Sequence, residues 1–305
     1  MSRRQALGKY VPILLVMLFW GSMGIPSTYA VEELSPLSVL CLRSGVAAAV
    51  LFPAVRRRHG SIRPAPGEGG LLVVLSIIGV VCCNYLYFFA VQHTTLTNVA
   101  ILYALGPIIT TVLAFFFLRE MVHLSRALGI VLAFLGVVAL ITDGHVEALL
   151  DIGFNQGDVA ELLSSLCLAV YTILSKRLRK TPADCVVFWL MAIGFVVTLP
   201  MVIWLEGGIA LYVSHRALAS VLYLGILCSG MGYLLQQRSI QTIGASTSAA
   251  FLNGISPITI LTAALILQEK ITPVQIGCMA VVFLGLFLNA RNQPLLSRRP
   301  PTSVS

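Results

Sequence analysis

One stretch of this chain occurs twice. Residues 94–140 read TTLTNVAILYALGPIITTVLAFFFLREMVHLSRALGIVLAFLGVVAL, and residues 241–288 read QTIGASTSAAFLNGISPITILTAALILQEKITPVQIGCMAVVFLGLFL. Pro107 and Pro257 are 150 positions apart; Glu120 and Glu269, and likewise Gly136 and Gly285, are 149 apart. Each copy runs from small polar residues through an apolar helix with a central proline to a glutamate, a short loop and a glycine-spaced apolar helix. Recurrence of proline, glutamate and glycine at a nearly constant offset marks an internal duplication, so the fold is expected to be a doubled unit.

The solvent of that unit follows from composition. Of 305 residues 58% are hydrophobic and 10% charged, where soluble domains carry about 25% charged residues. A chain this apolar cannot cover its surface for water, and the bilayer is its expected surroundings. Ten apolar runs, at residues 10–30, 37–55, 71–91, 96–118, 124–141, 159–175, 186–205, 218–237, 245–267 and 273–289, are each long enough to cross hydrocarbon. The opening MSRRQALGK and its apolar run resemble a signal peptide, with Thr28-Tyr29-Ala30 as a faint cleavage pattern. Retention is expected instead, because this run has a counterpart at residues 162–175.

Charge sets the orientation. Seventeen of the twenty cations fall at one set of ends: Arg3, Arg4, Lys9; Arg56, Arg57, Arg58, Arg63; Arg119, Arg126; Lys176, Arg177, Arg179, Lys180; Arg238; Arg291, Arg298, Arg299. The opposite ends hold Arg216 and Lys270, and Arg43 lies inside the second run. This asymmetry places both termini in the cytoplasm of a multi-pass inner-membrane protein. The net charge of +8 therefore speaks of membrane orientation, and nucleic acid is not an expected partner. Five spans per copy is an odd number, so the second copy enters the membrane inverted. The expected fold is all-α: ten transmembrane helices in two inverted five-helix repeats, residues 1–146 and 147–290, with a disordered cytoplasmic tail over 291–305. Inverted repeats of this kind imply alternating access, and hence transport.

These residues resemble the drug/metabolite transporter superfamily, specifically its EamA-type ten-helix proteins. The likeness rests on Phe19-Trp20-Gly21, on Leu42-Arg43-Ser44, on Pro107 with Arg119-Glu120, on Pro257 with Gln268-Glu269, and on Gly129, Gly136, Gly277 and Gly285. It covers roughly residues 10 to 290 and is specific for framework rather than substrate. The resemblance implies a carrier of small metabolites, often an exporter of amino acids, with a central cavity and with its fifth and tenth helices as peripheral supports. Gln268-Glu269 stands where Gly-Glu is more usual.

Polar side chains inside spans must face protein or water. Trp20, Asn84, Tyr85, Asn98, Tyr103, Tyr171, Tyr233, Gln236, Asn253 and Ser256 are the candidate cavity residues, Asn253 being the repeat counterpart of Tyr103. Interhelical hydrogen bonding is the alternative use of each. Arg43 either faces the cavity as a gate or carboxylate-attracting group, or fixes its helix by capping carbonyls or pairing with Glu32 or Glu33. Pro107 and Pro257 bend their helices. Glu120 and Glu269 tie loops to the following helices, while Glu161, His93 and Asp158 are titratable groups near the outer mouth. Trp204 suits an interfacial anchor.

Cys41, Cys82, Cys83, Cys167, Cys185, Cys228 and Cys278 lack CxxC or zinc-ligand spacing and read as packing residues. No nucleotide-binding, metalloprotease or Ser-His-Asp pattern occurs, so no catalysis, cofactor or metal is expected. The expected function is a secondary transporter exporting amino acids or related compounds. Carriage of a nucleotide-related metabolite or drug is the alternative, and an intramembrane lipid-handling enzyme the non-transport one. Monomer and homodimer both remain open.

Overall fold

The computed structural model describes residues 8–118, 124–142, 155–209, 213–268 and 271–291. Glu120 and Glu269, read from sequence as tying loops to the following helices, lie outside the described residues. The described chain is helical and contains no strand: α1 (Val11–Gly21), α2 (Gly24–Glu33), α3 (Pro36–His59), α4 (Gly69–His93), α5 (Asn98–Leu118), α6 (Leu124–Ile141), α7 (Gln156–Ser175), α8 (Ala183–Glu206), α9 (His215–Ile243), α10 (Ala245–Ile266) and α11 (Pro273–Arg291). Among the described residues, α3, α4, α5, α7, α8, α9 and α10 are seven helices long and apolar enough to cross a membrane. The α1–α2 pair makes an eighth if counted as one broken span, and α6 and α11 carry shorter apolar segments, Ala127–Ile141 and Pro273–Leu288.

The first apolar run is thus two helices bent by 41°. The cause is local. The Ser22 hydroxyl donates to the Leu18 carbonyl at 2.6 Å, and Pro26 has no N–H to carry the helical ladder across the junction. A comparable interruption occurs at both repeat prolines. Regular helix over Leu96–Tyr103 leads into α5, which restarts at Gly106–Leu118; α10 passes through a 3₁₀ turn at Leu252–Gly254 before its helix restarts at Ile255. Pro107 and Pro257 sit in the first turn of the resumed segment, where a missing donor costs nothing. The expected mid-helix bends are fresh helix starts.

Two spans contain π-helical turns, Ile77–Cys82 in α4 and Leu224–Gly232 in α9. They recur at the spacing of the sequence duplication, Gly79 and Cys228 being 149 positions apart. Nothing in the hydropathy of either run announces them.

Large apolar side chains point outward, Trp204 at 93% exposure, Leu265 at 82% and Phe116 at 70%. Such a surface suits lipid rather than water. Inside, Ile13, Leu40, Leu75, Leu190, Leu224 and Ile240 are buried in one continuous core. The α6 and α11 helices pair closely: a Cβ on Gly285 would lie 2.7 Å from both the Ala133 nitrogen and the Gly129 carbonyl oxygen.

The loops sort by charge. At one end, the Glu68 carboxylate accepts from the amides of Arg179 and Lys180 at 3.1 Å and of Thr181 at 2.9 Å, joining the loop before α4 to the loop before α8. Arg58 and His59 meet Asp184 at this same end, at 3.6 and 2.9 Å. At the other end, Glu206 accepts from Ser35 and Ser38, and Glu33 accepts from the Ser214 amide at 2.7 Å.

Candidate functional site

The polar centre is assembled from α1, α3, α4 and α9. Arg43 is 2% exposed. Its Nε donates to Ser229 Oγ at 2.7 Å and its Nη1 to Asn84 Oδ1 at 2.9 Å. Its guanidinium carbon lies 5.5 Å from the Phe88 ring centroid, within cation–π range. Asn84 in turn donates to the Val80 carbonyl at 2.8 Å and to the Tyr233 hydroxyl at 2.9 Å. Pairing with Glu32 or Glu33, one use foreseen for Arg43, is not what is found: its partners among the described residues are neutral.

The π turns explain the rest. An i→i+5 turn distorts the regular ladder and leaves carbonyls free to accept from outside the helix. The Gly79 carbonyl accepts from the Tyr233 hydroxyl at 2.9 Å, and the Cys228 carbonyl accepts from Trp20 Nε1 at 3.0 Å. Tyr171 packs on Gly79 and Trp20 on Gly232, each so close that a Cβ there would collide with the ring. Trp20 and Tyr171 both stand edge-on to Tyr233, at 5.5 and 5.8 Å between centroids. Trp20 of α1 therefore braces the π turn of α9, and Tyr171 of α7 braces the π turn of α4.

Around this centre lie small cavities. The larger, about 140 Å³, is bounded by Trp20, Tyr87, Tyr103, Ser256 and Thr259 among others. A second, about 30 Å³, adjoins it through shared walls of Trp20, Met23, Tyr87 and Tyr103, and adds Arg43 and Asn84. A third, about 10 Å³, lies between Tyr103, Pro107, Ser165 and Ala249. An apolar hollow of about 500 Å³ beside Trp204 is bounded by α8 alone and by none of these polar groups.

The candidate residues divide accordingly. Trp20, Asn84, Tyr103, Tyr233 and Ser256 border cavities, with Arg43 and Pro107. Tyr171 is fully buried behind Tyr233 and directs its hydroxyl to Gln237 Oε1 at 3.5 Å. Gln236 and Asn253 are buried with neither amide atom hydrogen-bonded. Tyr85 is 39% exposed beside Phe89, and Asn98 donates to Thr94 and Asp158 in a helix-capping cluster, both away from the cavities. Pro257 follows Ser256 at the α10 restart, and Glu120 and Glu269 fall outside the described residues. Ser229 and Met23 were not singled out from sequence. For Ser229 a signal existed, since it lies one helical turn before Tyr233.

Among the described residues His59, Asp184 and Cys185 bring three ligand-type atoms within 4.8 Å. His59 and Asp184 already bond one another at 2.9 Å, so the group serves as a fastening between α3 and α8.

Comparison with known proteins agrees with this architecture. The profile of the EamA-like transporter family matches residues 9–142 and again 155–291. The uncharacterized transporter YyaM of Bacillus subtilis is 27% identical over 284 residues, covering 92% of each chain. An uncharacterized transporter of Archaeoglobus fulgidus is 26% identical over 85% of this chain and 89% of its own. The S-adenosylmethionine/S-adenosylhomocysteine transporter of Chlamydia trachomatis is 29% identical over 173 residues, 55% of this chain and 52% of its own. A solved crystal structure superposes with a TM-score of 0.77 over 94% of this chain and 96% of the other, at 16% identity, a likeness of fold. The chain belongs to the EamA-like transporter family of the drug/metabolite transporter superfamily, and is a membrane transporter of that type.

Proposed function

We propose that this protein is a secondary carrier that exports amino acids or closely related carboxylates across the cytoplasmic membrane by alternating access. One observation carries the substrate class. Arg43 is a desolvated cation beside the cavity whose partners are an amide and a hydroxyl. Neutral partners leave its charge uncompensated, and a substrate carboxylate would compensate it. Trp20, Tyr87 and Tyr103 supply apolar walls with polar tips, suited to broad recognition of amphipathic molecules.

In this reading ten spans form two inverted five-helix units, residues 1–146 and 147–290, with both termini and the 291–305 tail cytoplasmic. The double family match, the matched π turns and the shared proline restarts support the duplication. The cation-rich end formed by the α3–α4 and α7–α8 loops supports the orientation. Rocking of the halves about the Arg43–Asn84–Tyr233 centre would expose the cavity to either side. A second reading, carriage of a nucleoside-linked metabolite, draws on the Chlamydia trachomatis relative.

Counterflow in proteoliposomes, with labelled amino acids and S-adenosylmethionine and no ion gradient, tests both. Accumulation of an amino acid group, lost in Tyr103→Ala and kept in Cys41→Ala, is the expected result. Signal for S-adenosylmethionine alone selects the second reading, and signal that survives Tyr103→Ala removes this cavity from the pathway.

A further inference from the structure

Two carboxylates lie one helical turn apart near the start of α7, and they are treated oppositely. Asp158 is fully buried and satisfied: its Oδ1 accepts from Thr94 at 2.7 Å and Asn98 at 3.1 Å, and its Oδ2 from the Asn155 amide at 2.9 Å. Glu161 is equally buried, and neither of its oxygens has a hydrogen-bond partner. The sequence placed it at a mouth; the packing encloses it. Ser165, one turn further on, is close enough to interact but is itself outside hydrogen-bonding geometry. An ionised carboxylate without donors is strongly disfavoured in such surroundings, so the closed packing fits the neutral acid.

Among the described residues none forms an ion pair with Glu161. From α4 and α5, Cys83, Tyr87 and Tyr103 lie within electrostatic range. His93, at the end of α4, is stacked on Phe89 and bonded to its carbonyl. Arg43 of α3 is engaged by Asn84 and Ser229, and Tyr233 of α9 by Gly79. Along Ala245–Ile266, α10 has no titratable residue. Glu161 borders none of the three central cavities, although Tyr103 borders all three and Tyr87 two of them. Whatever Glu161 exchanges passes behind those rings, and a proton is small enough.

We infer that Glu161 is the proton-carrying group that couples transport to a proton gradient. It holds its proton while α4, α5 and α7 are closed. When Tyr87 and Tyr103 shift with the substrate, water enters, the Glu161 O–H bond breaks, and the proton leaves as hydronium on that side. Reprotonation from the other side restores the packed state. This inference rests on the carrier reading above.

The test has two arms on the full-length protein. The first is an infrared pH titration of purified protein. A carboxylic-acid C=O absorption present at neutral pH and lost in Glu161→Gln is expected; its persistence in Glu161→Gln overturns the assignment. The second is uptake of labelled amino acids and S-adenosylmethionine in proteoliposomes with an imposed proton gradient. Glu161→Gln should keep counterflow and lose gradient-driven accumulation, and Glu161→Asp should recover it. Accumulation by Glu161→Gln equal to wild type refutes the coupling role, as does accumulation driven by sodium instead. Should wild type show no counterflow for any probe, the substrate reading fails, while the infrared arm still decides whether Glu161 carries a proton.

Discussion

The α6–α11 pairing offers a prediction with its own internal control. Gly277 and Gly285 lie on the same helix, eight residues apart, and the structure treats them differently. A Cβ at Gly277 meets nothing within 4 Å, whereas one at Gly285 meets the Ala133 nitrogen and Gly129 carbonyl at 2.7 Å and the Ala133 Cα at 3.0 Å. Those obstacles are backbone, so no rotamer change relieves them and the helices must separate. Glycine to alanine in a helix gains about 1 kcal/mol of propensity at either site. Only Gly285→Ala incurs overpacking, about 1–3 kcal/mol. The propensity gain cancels in the comparison, leaving Gly285→Ala about 1–3 kcal/mol less stable than Gly277→Ala, a factor of roughly 5 to 150 in the unfolding equilibrium. Denaturation of each purified variant in mixed micelles, followed by tryptophan fluorescence, measures the gap. Equal midpoints would show that α6 and α11 do not approach backbone to backbone, and the reasoning would fall.

Other substitutions probe the loops and the centre. Burial raises the Glu68 pKa, but the Thr181 hydroxyl and the amides of Lys180, Thr181 and Arg179 outweigh it and hold the carboxyl below its ordinary 4.5. A depressed folded value means this stabilisation is present above the ordinary pKa and lost as pH falls through the folded one. Glu68→Gln should therefore lower stability by about 1 kcal/mol at neutral pH, a charge-assisted hydrogen-bond figure reduced for its partial exposure, and the gap should close below pH 4.5; a pH-independent gap contradicts the clamp. Arg43→Lys keeps the charge but cannot span Ser229 and Asn84 as the guanidinium fork does, so losing one charged hydrogen bond should lower stability by about 1.5–3 kcal/mol. Unfolding midpoints equal to wild type would refute that bridging role. Asn155→Ala removes a complete capping box with Asp158 and should cost about 1 kcal/mol, read as a lowered thermal midpoint.

Much of this architecture was legible because lipid and water impose opposite demands along a chain. Apolar runs gave the helices, and proline with its flanking small residues gave the two restarts, although as bends. Rotation about each helix axis was not legible. In a span that is apolar all round, neighbours such as Tyr85 and Tyr87 differ by two residues and nothing local says which faces inward; Tyr87 borders the cavities and Tyr85 does not. That Glu161 would be enclosed was not legible for a related reason. It follows the polar capping sequence Asn155-Gln156-Gly157-Asp158, which reads as a helix end in water, yet those groups satisfy one another and leave the next turn dry. The π turns could not be read at all, since their residues are as apolar as the α-helix around them.

A π turn holds one residue more than the α-helix it interrupts, and this has a bearing on how the chain tolerates change in length. A regular α-helix turns about 100° per residue. Deleting one residue from the middle of α3 would swing everything beyond it by that angle, carrying buried side chains into lipid. Deleting one from Ile77–Cys82 or Leu224–Gly232 instead relaxes the turn to α-helix and leaves the far half of the span facing as before. Single-residue length differences among relatives are therefore expected to gather at these two places, and sequences shorter by one there should retain the helical packing while losing the free carbonyls that receive Trp20 and Tyr233.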